Sequence, residues 1–377
     1  ASKLKKCCAR CCDKGKRMLL FISGLVVLIL GAELLVRGAS KLALSFGISP
    51  LVVGLTVVAF GTSSPELAVS VQSAWSGQVD IALGNVVGSN IFNVLFILGA
   101  SALIVPLVVH QQIIRQEVPV MIGASLLLWA MAADGGISRW EGWLLASLIV
   151  GYTIVIIRQS RRETAAIRAE YDEAFEGGAQ GWDAHWGVQI LLILAGLALL
   201  VLGSNWLVDA AVAFAKYLGV SELIIGLTIV AAGTSLPEVA TSVMAALRGE
   251  RDIAVGNVVG SCIFNILAVL GISASIAPSE LLVPPAMPAF DLPVMVAVAV
   301  ACLPIFFTGH LIARWEGALF LAYYLAYTTY LILDASGHDA QVGFSAVLGG
   351  FVLPLTALTL LVLSWRHWQV MRGGKRT

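Results

Sequence analysis

Gly61-Thr62-Ser63-Ser64-Pro65-Glu66 recurs 172 residues later as Gly233-Thr234-Ser235-Leu236-Pro237-Glu238. Each hexapeptide lies in the middle of an apolar run, at about 49–76 and 220–247, long enough to cross a bilayer core, which takes about 20 residues as helix. A carboxylate at mid-membrane costs several kcal/mol unless something balances its charge. Here two stand at matching positions, with no Lys or Arg in either cluster. A second polar cluster follows each. Gly84-Asn85-Val86-Val87-Gly88-Ser89-Asn90-Ile91-Phe92-Asn93 is matched by Gly256-Asn257-Val258-Val259-Gly260-Ser261-Cys262-Ile263-Phe264-Asn265.

The likeness spreads outward from these clusters. Residues 49–99 align on 221–271 without a gap, with 32 identities in 51 positions. Gly24/Gly196, Gly31/Gly203 and Gly47/Gly219 extend the same offset upstream. Arg139-Trp140-Glu141-Gly142 returns as Arg314-Trp315-Glu316-Gly317 at an offset of 175, so one intervening loop differs by three residues. Apolar runs predict eleven spans, at about 18–37, 49–76, 79–105, 116–133, 139–158, 187–212, 220–247, 252–277, 291–309, 313–333 and 341–364. The repeat unit is five spans. An odd number inserts the second copy upside down, which is the inverted-repeat plan of secondary transporters.

Composition agrees with a membrane chain. The 377 residues are 59% hydrophobic and 12% charged, about half the charge of a soluble domain, and mean hydropathy is +0.91. This excludes a soluble globule and disorder alike. Lys+Arg 23 balance Asp+Glu 23, so there is no basic footprint for nucleic acid. With the 159–185 loop inside, fourteen Lys and Arg lie on the cytoplasmic side and two, Arg139 and Lys216, outside, a strong positive-inside pattern. Residues 1–17 add seven more on the outer side. That conflict, with Cys7, Cys8, Cys11 and Cys12 in one cluster, reads as a tag or other non-native leader, with Met18 as a natural start; metal binding and acylation are the other readings of the cluster.

The expected architecture is an all-α integral membrane protein of two inverted five-helix repeats, ten core helices, plus an eleventh C-terminal helix. Residues 18–158 form repeat 1, 159–185 a solvated cytoplasmic loop, 186–333 repeat 2, 341–364 the appended helix and 365–377 a basic cytoplasmic tail.

Pro65 and Pro237 cannot donate the helical hydrogen bond, which frees the carbonyls of Gly61 and Gly233. Broken helices at membrane depth use such carbonyls to coordinate ions. Ser89 and Asn93 are four apart and share a helix face. All the candidate ligands are oxygens, a set that suits Ca²⁺ or Na⁺ and lacks the His or Cys that Zn²⁺ or copper prefers. Gly84, Gly88, Gly256 and Gly260 read as helix-packing positions, and Asn85 and Asn257 either as ligands or as bridges between helices.

At these residues the sequence resembles the cation/Ca²⁺ exchanger family, in its Na⁺/Ca²⁺ exchanger branch, as a compact prokaryotic-type antiporter. Gly-Thr-Ser-x-Pro-Glu and Gly-Ser-Asn-Ile-Phe-Asn are that branch's repeat motifs. The resemblance covers spans one to ten. It implies exchange of Na⁺ for Ca²⁺ by alternating access, with ions held between the second, third, seventh and eighth spans. The implied central ligands are Glu66, Asn93, Glu238 and Asn265. The implied flanking ligands are Thr62, Ser63, Ser89, Thr234, Ser235 and Ser261, with the carbonyls of Ala59 and Ala231. Two departures stand out. Several members, including the K⁺-dependent ones, carry Asp where this chain has Asn265, and Cys262 replaces the Asn90 of the first repeat. Two carboxylates neutralise one Ca²⁺ or two Na⁺, and a third Na⁺ would leave one positive charge.

No cofactor is expected. The expected partners are the transported Ca²⁺ and Na⁺ and the lipid bilayer, with no nucleic acid and no protein partner marked by any motif; the expected location is a plasma membrane, the inner membrane of a prokaryote. H⁺/Ca²⁺ exchange is the alternative transport reading, with Glu66 or Glu238 carrying the proton. A channel is a third. An intramembrane protease fits poorly, since no His lies in the clusters and Asp80 and Asp252 begin spans that face opposite sides. Glu33 stands four residues before Arg37, the spacing of a helical ion pair. The five histidines fall in loops or at span ends and carry no assigned chemistry, and Trp140, Trp315, Tyr323 and Tyr324 read as interface anchors or packing.

Overall fold

In a computed structural model of the chain, the helix that begins at Pro50 stops at Thr62 and restarts at Ser64, turned by 45°. Ser63, at the break, has φ −79° and ψ 7°, outside the helical well, and Pro65 follows at the start of the new helix, where a missing N–H costs nothing. Ser235 breaks the second repeat in the same way, at φ −89° and ψ 9° with Pro237 behind it. The structure describes residues 2–46, 48–174, 185–217, 231–338 and 340–359, with 361, 362 and 365.

The helices are α1 (Ser2–Phe46), α2 (Pro50–Thr62), α3 (Ser64–Trp75), α4 (Val79–Ile104), α5 (Ile113–Asp134), α6 (Arg139–Ala174), α7 (Trp186–Tyr217), α8 (Leu236–Leu247), α9 (Arg251–Ile276), α10 (Met287–Phe307), α11 (Arg314–Ala335) and α12 (Ala340–Thr359). A short helical piece, Ala231–Gly233, precedes α8. Among the described residues nine helices are long and apolar enough to cross a membrane, ten when α2 and α3 count as one span. Residues 220–230 of the expected seventh span lie outside the described residues, as do 1, 218–219, 175–184 of the expected loop and 366–377 of the expected tail.

Two expected boundaries move. α1 runs on to Phe46 rather than stopping near 37. Val36, Ala39 and Ala43 form a buried stripe at helical spacing, while Arg37 and Lys41 sit on the less covered side. A charge count ends the span at Arg37; burial of one face does not. α6 likewise continues to Ala174, past the expected end at 158.

Packing between the halves is reciprocal. Gly24 of α1 meets Gly203 of α7, and Gly31 meets Gly196, so the helices run antiparallel at backbone contact; a methyl at Gly196 would lie 2.6 Å from the Leu35 nitrogen. Gly99 meets Gly317, and its repeat counterpart Gly271 meets Gly142. Four two-residue strands follow the same rule. β1 (Leu107–Val108) pairs antiparallel with β4 (Leu311–Ile312), and β2 (Gly136–Ile137) with β3 (Leu281–Leu282). Gly256 and Gly260 pack on Leu51 and Leu55 as expected, within about the closeness that only glycine permits: a methyl at Gly260 would lie 2.8 Å from the Leu55 backbone.

One feature escapes a motif search. The wide turn that opens α5 ends on buried Glu117, which accepts hydrogen bonds from Tyr152 at 2.7 Å and Gln112 at 3.0 Å. In the second half Asp291 ends the wide turn that opens α10 and accepts from Tyr327 at 2.9 Å. Glu33 does not follow its expected i, i+4 pairing: it forms an ion pair with Arg248, in the other half. The packing reading holds for Tyr324, whose ring meets Phe92 and Phe96, and the anchor reading suits Trp140, which is exposed.

Candidate ion-binding site

The breaks at Ser63 and Ser235 turn polar groups of each half onto the other. Ser63 Oγ donates to Glu238 Oε1 at 3.2 Å, and Ser235 Oγ to Glu66 Oε1 at 2.9 Å. Thr62 Oγ1 donates to Asn257 Oδ1 at 3.1 Å, and Thr234 Oγ1 to Asn85 Oδ1 at 3.3 Å. Asn85 in turn donates to the Glu66 carbonyl at 3.1 Å and to Ser70 at 2.9 Å; Asn257 donates to the Glu238 carbonyl at 3.5 Å and to Ser242 at 2.9 Å. Each of these cross-half contacts thus has its mirror. Of the two readings open for Asn85 and Asn257, the structure shows bridging.

A smaller set is left over. Glu66, Glu238, Asn93, Asn265 and Ser261 are all completely buried. Glu66 Oε2, Glu238 Oε2, both amide atoms of Asn93 and of Asn265, and Ser261 Oγ have no hydrogen-bond partner among the described residues. Asn93 and Asn265 each begin a wide helical turn, at Asn93–Leu98 and Asn265–Leu270. Such single turns mark functional positions in helices. Buried polar atoms are normally paired, so a cluster of unpaired ones needs an explanation. Both carboxylates lie here, and among the described residues neither is in an ion pair with Lys, Arg or His. No group of three or more His, Cys, Asp or Glu side chains is placed to hold a metal among the described residues, so an ion here would rest on two carboxylates plus amide, hydroxyl and carbonyl oxygens.

The flanking residues divide. Ser89 is buried, 3.2 Å from the Ser235 hydroxyl. Thr62, Ser63, Thr234 and Ser235 are brought to the cluster but already hold protein partners. The Ala59 carbonyl accepts from the Ser63 N–H at 3.0 Å, the ordinary fate of a carbonyl at a helix end. Ala231 opens the short helical piece before the second break. The Gly233 carbonyl, expected to be free for an ion, accepts from Ser204 at 2.7 Å. Ser204 was not among the sequence candidates, because its repeat counterpart is Ala32 and symmetry gave no signal there. Ser70 and Ser242 were also missed, although both are serines at offset 172 and that repetition could have flagged them. Cys262 is buried with its sulfur 3.8 Å from the carbonyl of Asn90, its own repeat counterpart.

Comparison with known proteins gives one answer. The family described as sodium/calcium exchanger protein matches residues 16–158 and 188–333. The chain is 41% identical to a protein of Alkalimonas amylolytica named antiporter CaxA, over 83% of this chain and 97% of that one. It is 32% identical to the sodium/calcium exchanger MaX1 of Methanosarcina acetivorans, over 83% and 97%. Among solved structures, the sodium-calcium exchanger NCX_Mj soaked without Na⁺ and Ca²⁺ superposes with a TM-score of 0.71 at 28% identity, over 84% of this chain and 98% of that one.

Proposed function

The chain belongs to the sodium/calcium exchanger family, a multi-pass membrane cation/Ca²⁺ exchanger and not an enzyme, and we propose that it drives Ca²⁺ with Na⁺ by alternating access to one buried site. The observation that carries this reading is the leftover set: two uncompensated carboxylate oxygens beside two unpartnered amides, at completely buried positions. Glu66, Glu238, Asn93 and Asn265 are the central ligands, with Ser89 and Ser261 beside them. Thr62, Ser63, Thr234 and Ser235 flank them, and the carbonyls of Ala59 and Ala231 are reached only when the helix ends rearrange. An all-oxygen, flexible set suits Ca²⁺ and Na⁺. The cations are substrates, and both serines that now hold Glu66 and Glu238 come from the opposite half, so an ion displacing them couples the halves.

We place the protein in a prokaryotic plasma membrane as two inverted five-span repeats, with α12 appended. The strand pairs support this. Loops 105–112 and 308–313 meet through β1 and β4, and loops 135–138 and 277–286 through β2 and β3. Strands that pair share a face of the membrane, so an even number of crossings separates each pair of loops. That count is even only if the chain crosses once between Tyr217 and Leu247, which gives each repeat five spans.

Proton coupling is the second reading, because a proton on either free carboxylate oxygen would also answer its missing partner. Uptake of Ca²⁺ into proteoliposomes decides between them. Uptake driven by an outward Na⁺ gradient at equal pH is expected; uptake driven only by a pH gradient would replace Na⁺ with H⁺.

A further inference from the structure

Much of the contact between the halves is mirrored, but one charged contact among the described residues is not. The ion pair of Glu33 on α1 with Arg248, just after α8, has no counterpart, because the positions 172 residues away are Asn205 and Ser76. The pair closes a seam. α1 packs along α8, whereas the mirrored helices α7 and α3 do not pack comparably among the described residues. A cleft of about 310 Å³ lies in that seam, lined by Val36, Arg37, Ser40, Lys41, Arg248 and Glu250.

Burial is unequal in the same sense. Pro65 and Val69 are only part-buried, while their counterparts Pro237 and Thr241 are buried. Val69 and Thr241 each stand three residues beyond a site glutamate, next to the face that carries it. The half of the molecule on the Arg248 side is therefore the closed one, and the half on the Val69 side the looser one.

We propose that Glu33 and Arg248 form a one-sided latch that biases the exchanger toward the state open on the non-cytoplasmic face. In an inverted repeat, the opposite state is reached when the two halves exchange conformations. The α1–α8 seam then opens as the α7–α3 seam closes, and the closing seam brings together Asn205 and Ser76, which carry no charge. One state gains an ion pair and the other gains nothing equivalent, so the equilibrium cannot be symmetric. Both side chains are partly exposed, at 41% for Arg248 and 27% for Glu33, so the bias is small. Exposed pairs of this kind shift an equilibrium about 1.4- to 5-fold. The inference rests on the inverted topology proposed above.

The test uses full-length protein lacking native cysteines, with Val69→Cys or Thr241→Cys as reporters, in right-side-out and inverted vesicles treated with an impermeant maleimide. Val69→Cys should label from outside and Thr241→Cys from inside. Adding Glu33→Gln or Arg248→Gln should slow the first and speed the second, moving their ratio about threefold. The charge exchange Glu33→Arg with Arg248→Glu should restore it, which a merely misfolded variant would not do. Opposite-face labelling with a ratio that neither single variant moves, or that the charge exchange leaves shifted, overturns the latch alone. Labelling of both reporters from one face overturns the inverted topology and the latch with it.

Discussion

Glu66 and Glu238 each hand one oxygen to a serine of the opposite half and keep the other unpaired. In the proposed site each would supply formal charge to a cation that has left its water, with no Lys, Arg or His paired to either among the described residues. Glu66→Gln and Glu238→Gln keep size and one carbonyl oxygen but remove the charge. A net loss of about 3 kcal/mol weakens binding roughly a hundredfold, so each variant should lose Ca²⁺ uptake at low Ca²⁺ while remaining monodisperse in detergent. Wild-type affinity in both would remove these residues from the site. Asn93→Ala and Asn265→Ala each delete a proposed neutral ligand and should weaken uptake less than the glutamine variants. Asn265→Asp adds a third carboxylate to a buried pair. Its Ca²⁺ affinity in the uptake assay should therefore differ from the parent's; an unchanged affinity would mean that position 265 does not sense the site.

At the scale of single elements, glycine decides how closely helices approach. Gly196 faces the α1 backbone, with no room for a methyl, whereas Gly151 of α6 is exposed with open space around its Cα. Gly196→Ala should lower the melting temperature in detergent by forcing α1 and α7 apart, at about 1–3 kcal/mol for overpacking. Gly151→Ala should be neutral or raise it, since alanine is the better helix former by about 1 kcal/mol. The acid–tyrosine pairs act on neighbouring helices in the same way. Tyr152→Phe strips a donor from the buried Glu117, and Tyr327→Phe strips one from Asp291. The first should cost about 1–3 kcal/mol, the penalty of an unsatisfied buried acceptor, and the second less, because Asp291 is only half-buried. Melting measurements on both would show whether the two ends of the molecule are held alike; no change in either would make the pairs incidental.

For the whole molecule, the mirrored contacts between halves amount to an isologous arrangement within one chain: residue i meets j′ and j meets i′, as across a two-fold axis. Gln78, between α3 and α4, and Arg251, at the start of α9, are near-equivalent loop positions that an inverted repeat puts on opposite faces. Cysteines there should react with an impermeant reagent from opposite sides. Reaction of both from one side would also be irreconcilable with the strand pairs β1–β4 and β2–β3.

Much of this is legible from residues alone. Apolar run length, the offset of 172 and a Pro-Glu in mid-span follow from the cost of placing polar backbone and charge in hydrocarbon, which is local and severe. They yield the helical class, the repeats and the candidate glutamates without any coordinates. Partner choice was not legible in that way. An i, i+4 spacing favours Glu33 with Arg37 by a few tenths of a kcal/mol, and tertiary packing overrode it with Arg248 from the other half. The same holds for Asn85 and Asn257, which the residues left open between ligand and bridge, and for the Gly233 carbonyl, which Ser204 occupies. Which polar atoms remain unpaired in the core depends on how two distant halves meet, because a hydrogen bond is made or lost over a fraction of an ångström. Sequence periodicity reports which residues face inward, and only the packed structure decides which of them are left free to hold an ion.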